Sequence, residues 1–330
     1  LEATTRSAEE VSSRAAIVYP ILLPDRAELL LSFGESGMKR YAVPVGREEI
    51  TAEILRFRAL LEKRISNQYR RHGQKLYDWL IRPFEAELVR RKIETLVFVP
   101  GGALRTIPMS ALQDGKRFLI EKYAVAVTPG VELTDPRPLD RSKIKLFLSG
   151  LSESVEGFPA LTHVPMELES VQDILGGEIL LDENFRLDAV RETLSDEQFS
   201  VVHIATHGEF AAKVEQTYLL AYDGHLTMDR LGDYVGLFKF RETPLELLTL
   251  SACETAQGDE RAALGLSGVA IRAGARSALG TLWVVNDEAA ARLVIEFYRQ
   301  LEDESVSRAL ALQGAQLELL KKPAYEHPSY

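Results

Sequence analysis

Apolar residues along this chain fall into two rhythms. In the first half, IVYPILL (17–23), ELLLSF (28–33) and KRYAVPV (39–45) are short runs bounded by Pro24-Asp25 and by Gly34-Glu35-Ser36-Gly37. Runs of this length between such turns predict an antiparallel β meander. From about 48 to 72 the apolar positions Ile50, Ile54, Phe57, Leu60, Leu61 and Ile65 are spaced as one face of a helix. A second helix is predicted over Leu76 to Lys92. ETLVFVP (94–100) reads as a buried strand that stops at Pro100-Gly101-Gly102, and further strands are predicted at 118–119 and in YAVAVTP (123–129). Residues 1–15 are small and polar and read as a helix remnant or linker.

Residues 132–142 (ELTDPRPLDRS) carry two prolines and mixed charge, and a domain boundary is placed there. The expected domains are 1–140, an N-terminal support lobe, and 141–330. Beyond the boundary, strands alternate with helices: IKLFLSG (144–150), a helix from Glu167 to Leu175, EILL (178–181), a helix from Asn184 to Leu194, FSVVHIAT (199–206), LELLTLSA (245–252), a helix from Ala262 to Ala273, RSALGTLWVV (276–285), and helices over Asp287 to Leu301 and Val306 to Lys322. This alternation predicts an α/β domain, a mostly parallel sheet covered on both faces. No internal repeat with a period of tens of residues is visible.

Composition narrows the function. The net charge is −10, a poor basis for direct nucleic-acid binding, which needs clustered Lys and Arg, or for an anionic membrane surface. A single cysteine, Cys253, cannot form an internal disulfide and excludes zinc sites with two or more Cys ligands. No transmembrane run or signal peptide is visible, and a cytoplasmic location is expected. The chain starts at Leu1 rather than Met, so it is expected to be part of a longer protein.

In parallel α/β sheets the chemistry gathers beyond the carboxyl ends of the strands. The residues there are Gly150-Leu151-Ser152, His207-Gly208-Glu209, Cys253-Glu254-Thr255 and Val285-Asn286-Asp287. A free cysteine is more often a buried small hydrophobe, but Cys253 sits past the last apolar residue of its strand. His203, inside a strand, reads as a hydrogen-bonded core histidine. His203 and His207 would form a metal pair only on a helix, and the segment reads as a strand, so no metal site is expected. Cys253 follows His207 by 46 residues (253 − 207), and caspase-like enzymes place the histidine about 50 residues before the cysteine. A thiolate beside an imidazolium is nucleophilic at neutral pH. The backbone N–H groups of Gly208 and Cys253 are candidates for an oxyanion hole. Gly101-Gly102 lacks the residues of a phosphate loop, and Ser251 and Ser267 do not sit in GxSxG elbows. No cofactor is expected.

The motifs LVFVPGGALRTIPMSAL (96–112), HIATHGEF (203–210), LLTLSACETAQGD (247–259) and ALGLSGVAIRAGARSALGTLWVVNDEAAARLVIEFYRQL (263–301) together resemble the CHAT family. These are caspase-like cysteine peptidases, related to separase and often found behind tetratricopeptide repeats in bacteria. The resemblance implies a caspase-like catalytic lobe over 141–330, with a pseudo-peptidase-like lobe over 1–140 packed on it. It matches His207 to the family's catalytic histidine and Cys253 to its nucleophile. Family members usually continue past HPSY (327–330) with a Trp and a further apolar strand, so the last sheet element is expected to be missing. In separase a similar Leu-Trp-x-Val-x-Asp segment lines the P1 pocket, and LWVVND (282–287) puts Asp287 at the matching acid. Asp287 either binds a basic side chain there or N-caps the following helix. Glu254, with Asp259 and Glu260, either adds to an acidic cleft or forms a solvated loop.

Two functions follow as expectations. One is a cysteine endopeptidase that cleaves specific protein substrates after a basic residue, gated by upstream tetratricopeptide repeats or an activating partner. Ordering of 211–226 and of the ALGLS loop would supply the gate. The other is a catalytically silent, peptidase-like signalling or interaction module.

Overall fold

The computed structural model describes residues 14–33, 37–130, 144–196, 199–210, 217–236, 245–251, 254–255, 274–303 and 305–330. The chain forms two compact units. One comprises Leu1–Arg137 with Arg308–Ser329, the other Pro138–Ser307 with Tyr330.

The first unit opens with the expected meander. Strands β1 (Ala15–Leu22), β2 (Ala27–Ser32) and β3 (Met38–Val43) pair antiparallel. Helices α1 (Arg47–Leu61) and α2 (Tyr69–Leu80) follow. The predicted helices over 48–72 and 76–92 are thus divided differently, with breaks at 62–68 and after Leu80. Pro83 lacks an N–H and disfavours helical backbone in the residue before it. The chain there narrows to a 3₁₀ turn, Arg82–Phe84, before the short α3 (Glu85–Arg90). Strands β4 (Thr95–Phe98) and β5 (Ala124–Val127) extend the sheet in parallel, giving the order β3-β2-β1-β4-β5. The strand predicted at 118–119 is a single bridge from Gln113 to Phe118 followed by a 3₁₀ turn.

The second unit is the α/β domain that the alternation predicts. Its sheet contains β6 (Leu146–Gly150), β7 (Glu178–Leu181), β8 (Val201–Ala205), β12 (Leu247–Ser251) and β14 (Ala278–Gly280), with every pairing parallel. Helices α4 (Val164–Leu175) and α5 (Leu187–Asp196) lie between the early strands. A second, small sheet, ordered β11-β10-β9-β13, is built from β9 (Gly208–Phe210), the hairpin of β10 (Tyr218–Ala221) and β11 (Gly224–Thr227), and β13 (Glu254–Thr255). Helix α6 (Met228–Gly236) follows the hairpin, and α7 (Asp287–Gln300) follows β14. The strand predicted over 276–285 is only three residues long, because among the described residues β14 lies at the edge of the sheet and its neighbour there, β12, matches it no further than Leu250↔Gly280. The helix predicted at 262–273 lies outside the described residues.

Side chains alternate across this parallel sheet. Phe147, Val202, Ile204, Leu248 and Leu250 join one apolar core with Val190 and Leu194 of α5 and Leu219 and Leu226 of the hairpin. The opposite face meets α4 and α7, and carries His203, Thr249 and Ser251. Gly150 also lies on that face. A β-carbon there would stand 2.6 Å from Val164 Cγ1 and 2.9 Å from the Ala205 carbonyl oxygen. The glycine that ends β6 therefore lets the first turn of α4 press against the sheet.

The last helix, α8 (Arg308–Leu320), returns to the first unit, contrary to the expectation that 141–330 form one lobe. It buries Ala311, Ala315 and Leu319 and lies against β5, and Gln313 Nε2 donates to the Ile120 carbonyl at 2.7 Å. An amphipathic pattern reports that a face is buried but not which sheet buries it.

Candidate active site

The order β14-β12-β8-β6-β7 makes the junction between β6 and β8 the switch point of the sheet. The chain leaves β6 toward β7 on one side, then crosses to β8 on the other. Ligands of open α/β sheets bind beyond the carboxyl ends of the strands at such a junction. His207 lies there, one residue after Thr206, which follows β8.

Backbone bonds fix the position of His207. The Thr206 N–H donates to the Ser251 carbonyl at 3.2 Å, the Thr206 hydroxyl donates to the Leu220 carbonyl at 2.6 Å, and the Leu220 N–H donates to the His207 carbonyl at 2.8 Å. The partly exposed imidazole packs on the Phe158 ring, with centroids 5.1 Å apart, and its Nε2 lies 2.8 Å from the Pro159 carbonyl oxygen. A carbonyl can only accept, so Nε2 carries the proton and Nδ1 is the basic nitrogen.

Cys253 lies outside the described residues, as do Asp259 and Glu260. Its described neighbours are paired. Ser251 is matched with Ala205 and Glu254 with Glu209, both in parallel register. β8 and β12 are thus adjacent in the large sheet, and β9 and β13 adjacent in the small one. Gly208, the first residue of β9, is buried and matched with Leu219 of the hairpin.

Asp287 is the first residue of α7, but the capping role weighed for it belongs to Asn286, whose Oδ1 accepts the Ala289 N–H at 3.0 Å. The Asp287 carboxylate instead meets the residue before α4. Its Oδ2 accepts the His163 N–H at 2.9 Å and lies 2.9 Å from His163 Nδ1.

Sequence reasoning stopped at Ser152 and so missed Phe158, Pro159 and His163, all in the loop between β6 and α4. The signal available was a long polar loop following a strand that ends in glycine. Asp182 anchors the start of this loop, accepting from the Ser152 N–H at 2.6 Å and the Ser152 hydroxyl at 2.7 Å.

Beneath the site, the buried Glu167 of α4 places Oε1 2.9 Å from Nε2 of the buried His203, and Oε2 accepts the Ser251 hydroxyl at 3.2 Å. The His203 ring stacks on Tyr298 of α7 at 5.6 Å, and the Tyr298 hydroxyl donates to Thr249 Oγ1 at 2.9 Å. Burial pushes the Tyr298 phenol well above its ordinary range. His203 is thus a core histidine as expected, its side chain facing α4 and α7, but among the described residues neither ring nitrogen makes a hydrogen bond, so the hydrogen-bonded part of the expectation does not hold.

Residues 70–330 match the CHAT domain family. The chain belongs to this family. No curated protein matches it. The CHAT domain is a caspase-like cysteine peptidase family, and the parallel sheet flanked by helices is the caspase-like fold. Among the described residues of this CHAT domain, no helix is long and apolar enough to cross a membrane.

Proposed function

We propose that this CHAT domain is a cysteine endopeptidase in which His207 and Cys253 form the catalytic dyad. The observation that carries the reading is the strand pairing on either side of the two family-matched positions, Ser251 with Ala205 and Glu254 with Glu209. It is supported by the Pro159 carbonyl, which holds Nε2–H and leaves Nδ1 as the base. A nucleophile, a base and a third group that orients the base is the recurring arrangement of covalent catalysis.

The chemistry then runs as follows. Nδ1 takes the Cys253 thiol proton, and the sulfur attacks the scissile carbonyl carbon. The C=O π pair moves to oxygen, where the N–H groups of Gly208 and Cys253 stabilise the oxyanion. The intermediate collapses, and the leaving amine takes the proton from Nδ1, which leaves a thioester. Water, deprotonated by Nδ1, attacks the thioester and releases the carboxylic acid, and the thiolate is restored.

Asp287, with Glu254, would select Arg or Lys at P1 through a charge-assisted pair. The substrates would be specific proteins in a cytoplasmic setting. An upstream recognition region, such as tetratricopeptide repeats, or a partner would gate activity; the expected ordering of 211–226 does not hold for 218–226, because the hairpin of β10 and β11 already buries Leu219, Leu220 and Leu226 in the core. Full activity of the isolated chain with nothing added would refute that gate.

The dyad is tested by iodoacetamide labelling across pH. Rapid modification of Cys253 below the ordinary thiol range, lost in His207→Ala, is the expected result. Ordinary thiol reactivity in both proteins would favour the silent module instead.

A further inference from the structure

We propose that His163 is a specificity-determining residue of this site. It holds the Asp287 carboxylate by one oxygen and leaves the other to a single cationic side chain of the substrate. The inference rests on Asp287 being the P1 acid.

Two donors from one residue converge on one atom. The backbone N–H and Nδ1 of His163 both stand 2.9 Å from Asp287 Oδ2. The carboxylate is therefore fixed in rotation, and Oδ1 is the oxygen left to receive a ligand. The Asp287 side chain is 20% exposed and that of His163 36%. This is partly shielded ground, where a charge-assisted bond is stronger than on open surface.

The two helix ends set the charges. Asp287 is the first residue of α7, where the helix dipole favours a negative charge. His163 caps the start of α4, where the same dipole opposes a second positive charge. Both His163 contacts fall on Oδ2, so the Asp287 carboxylate keeps Oδ1 for a cationic side chain. The next carboxylate on α7, Glu288, accepts from Arg292 one turn on, at 2.8 and 3.0 Å, so its charge is already compensated.

A purely structural tie between α4 and α7 would make a different prediction. Lysine at position 163 could tie the helices as well as histidine does, yet it would cancel the charge of Asp287. The test is the rate at which peptidyl acyloxymethyl ketones carrying either Arg or its neutral isostere citrulline at P1 label Cys253. The ratio of the two rates does not depend on how much protein is folded. Wild type is expected to prefer Arg. His163→Lys is expected to lower the Arg-to-citrulline ratio by at least about tenfold, because it sets like charge against the incoming cation. His163→Gln, which can donate without charge, is expected to keep the ratio close to wild type. An undiminished Arg preference in His163→Lys would overturn the proposal. Asp287→Asn separates the two ideas. If it too keeps the Arg preference, the P1 assignment of Asp287 falls. If it loses the preference while His163→Lys keeps it, only the role of His163 falls.

Discussion

The carbonyl oxygen of Pro159 lies 2.8 Å from Nε2 of His207, across 48 residues of sequence. A backbone group, which no side-chain substitution deletes, thus sets the tautomer of the proposed base. What can be altered is the packing that holds the ring against it. Phe158→Ala removes the tilted ring packed against His207 and is expected to slow Cys253 labelling by about tenfold, a modest share of what a positioned base contributes. Pro159→Ala keeps the carbonyl and is expected to act more weakly. Equal effects from the two variants would argue against the orienting role of the ring.

Gly150 has no room for a β-carbon between the Ala205 carbonyl and Val164. Gly150→Ala is expected to cost about 1–3 kcal/mol, as overpacking does, and to displace the start of α4, which carries His163 and Glu167. A urea melt reads the stability, and the rate of Cys253 labelling reads the displacement. A stable variant with unchanged labelling would show that α4 can yield.

Glu167 is the polar hub beneath the site. Glu167→Ala leaves the buried Ser251 hydroxyl without its acceptor and is expected to cost about 1–3 kcal/mol, as an unsatisfied buried polar group does. Glu167→Gln keeps an acceptor for Ser251 and should cost less. If the two variants share one urea midpoint, the hydrogen-bonding role of Glu167 is wrong.

His327, in the first unit, is a further test. It is buried edge-on against Tyr69 at 4.6 Å, its Nδ1 accepts the Ser329 N–H at 3.2 Å, and its Nε2 lies 3.2 Å from the Ser66 carbonyl oxygen. Burial is the main cause that holds its pKa below the usual histidine value, against the Ser66 carbonyl, which raises it. The folded ring therefore stays neutral at a pH where the unfolded chain is already binding a proton. Its contribution is complete above the unfolded value of about 6.5 and falls as the pH drops through and below it. His327→Gln is expected to lose less stability than wild type between about pH 7.5 and 5.5, the window spanning the ordinary histidine pKa. Identical losses in chemical denaturation would refute this.

The buried strands were legible in the sequence because a strand covered on both faces must be apolar almost throughout, as LFLSG, VVHIA and LLTLS nearly are. The meander was legible because Pro24-Asp25 and Gly34 to Gly37 punctuate it. The boundaries around Pro83 and the short β14 were read less well, since periodicity reports burial while local breaks and the reach of a neighbouring strand set the ends.

By itself the sequence determined the alternation of strands and helices, the family, and the two positions, His207 and Cys253, to which the proposed dyad is assigned. Only the tertiary structure decided what surrounds them. The Pro159 carbonyl reaches His207, His163 meets Asp287 across 124 residues, Glu167 lies under His203 and Ser251, and α8 goes back to the first unit. The physical reason is that these contacts depend on strand order. A hydrophobic pattern specifies that a face must be buried, and the crossover at β6 and β8 alone specifies which loop arrives beside which strand end.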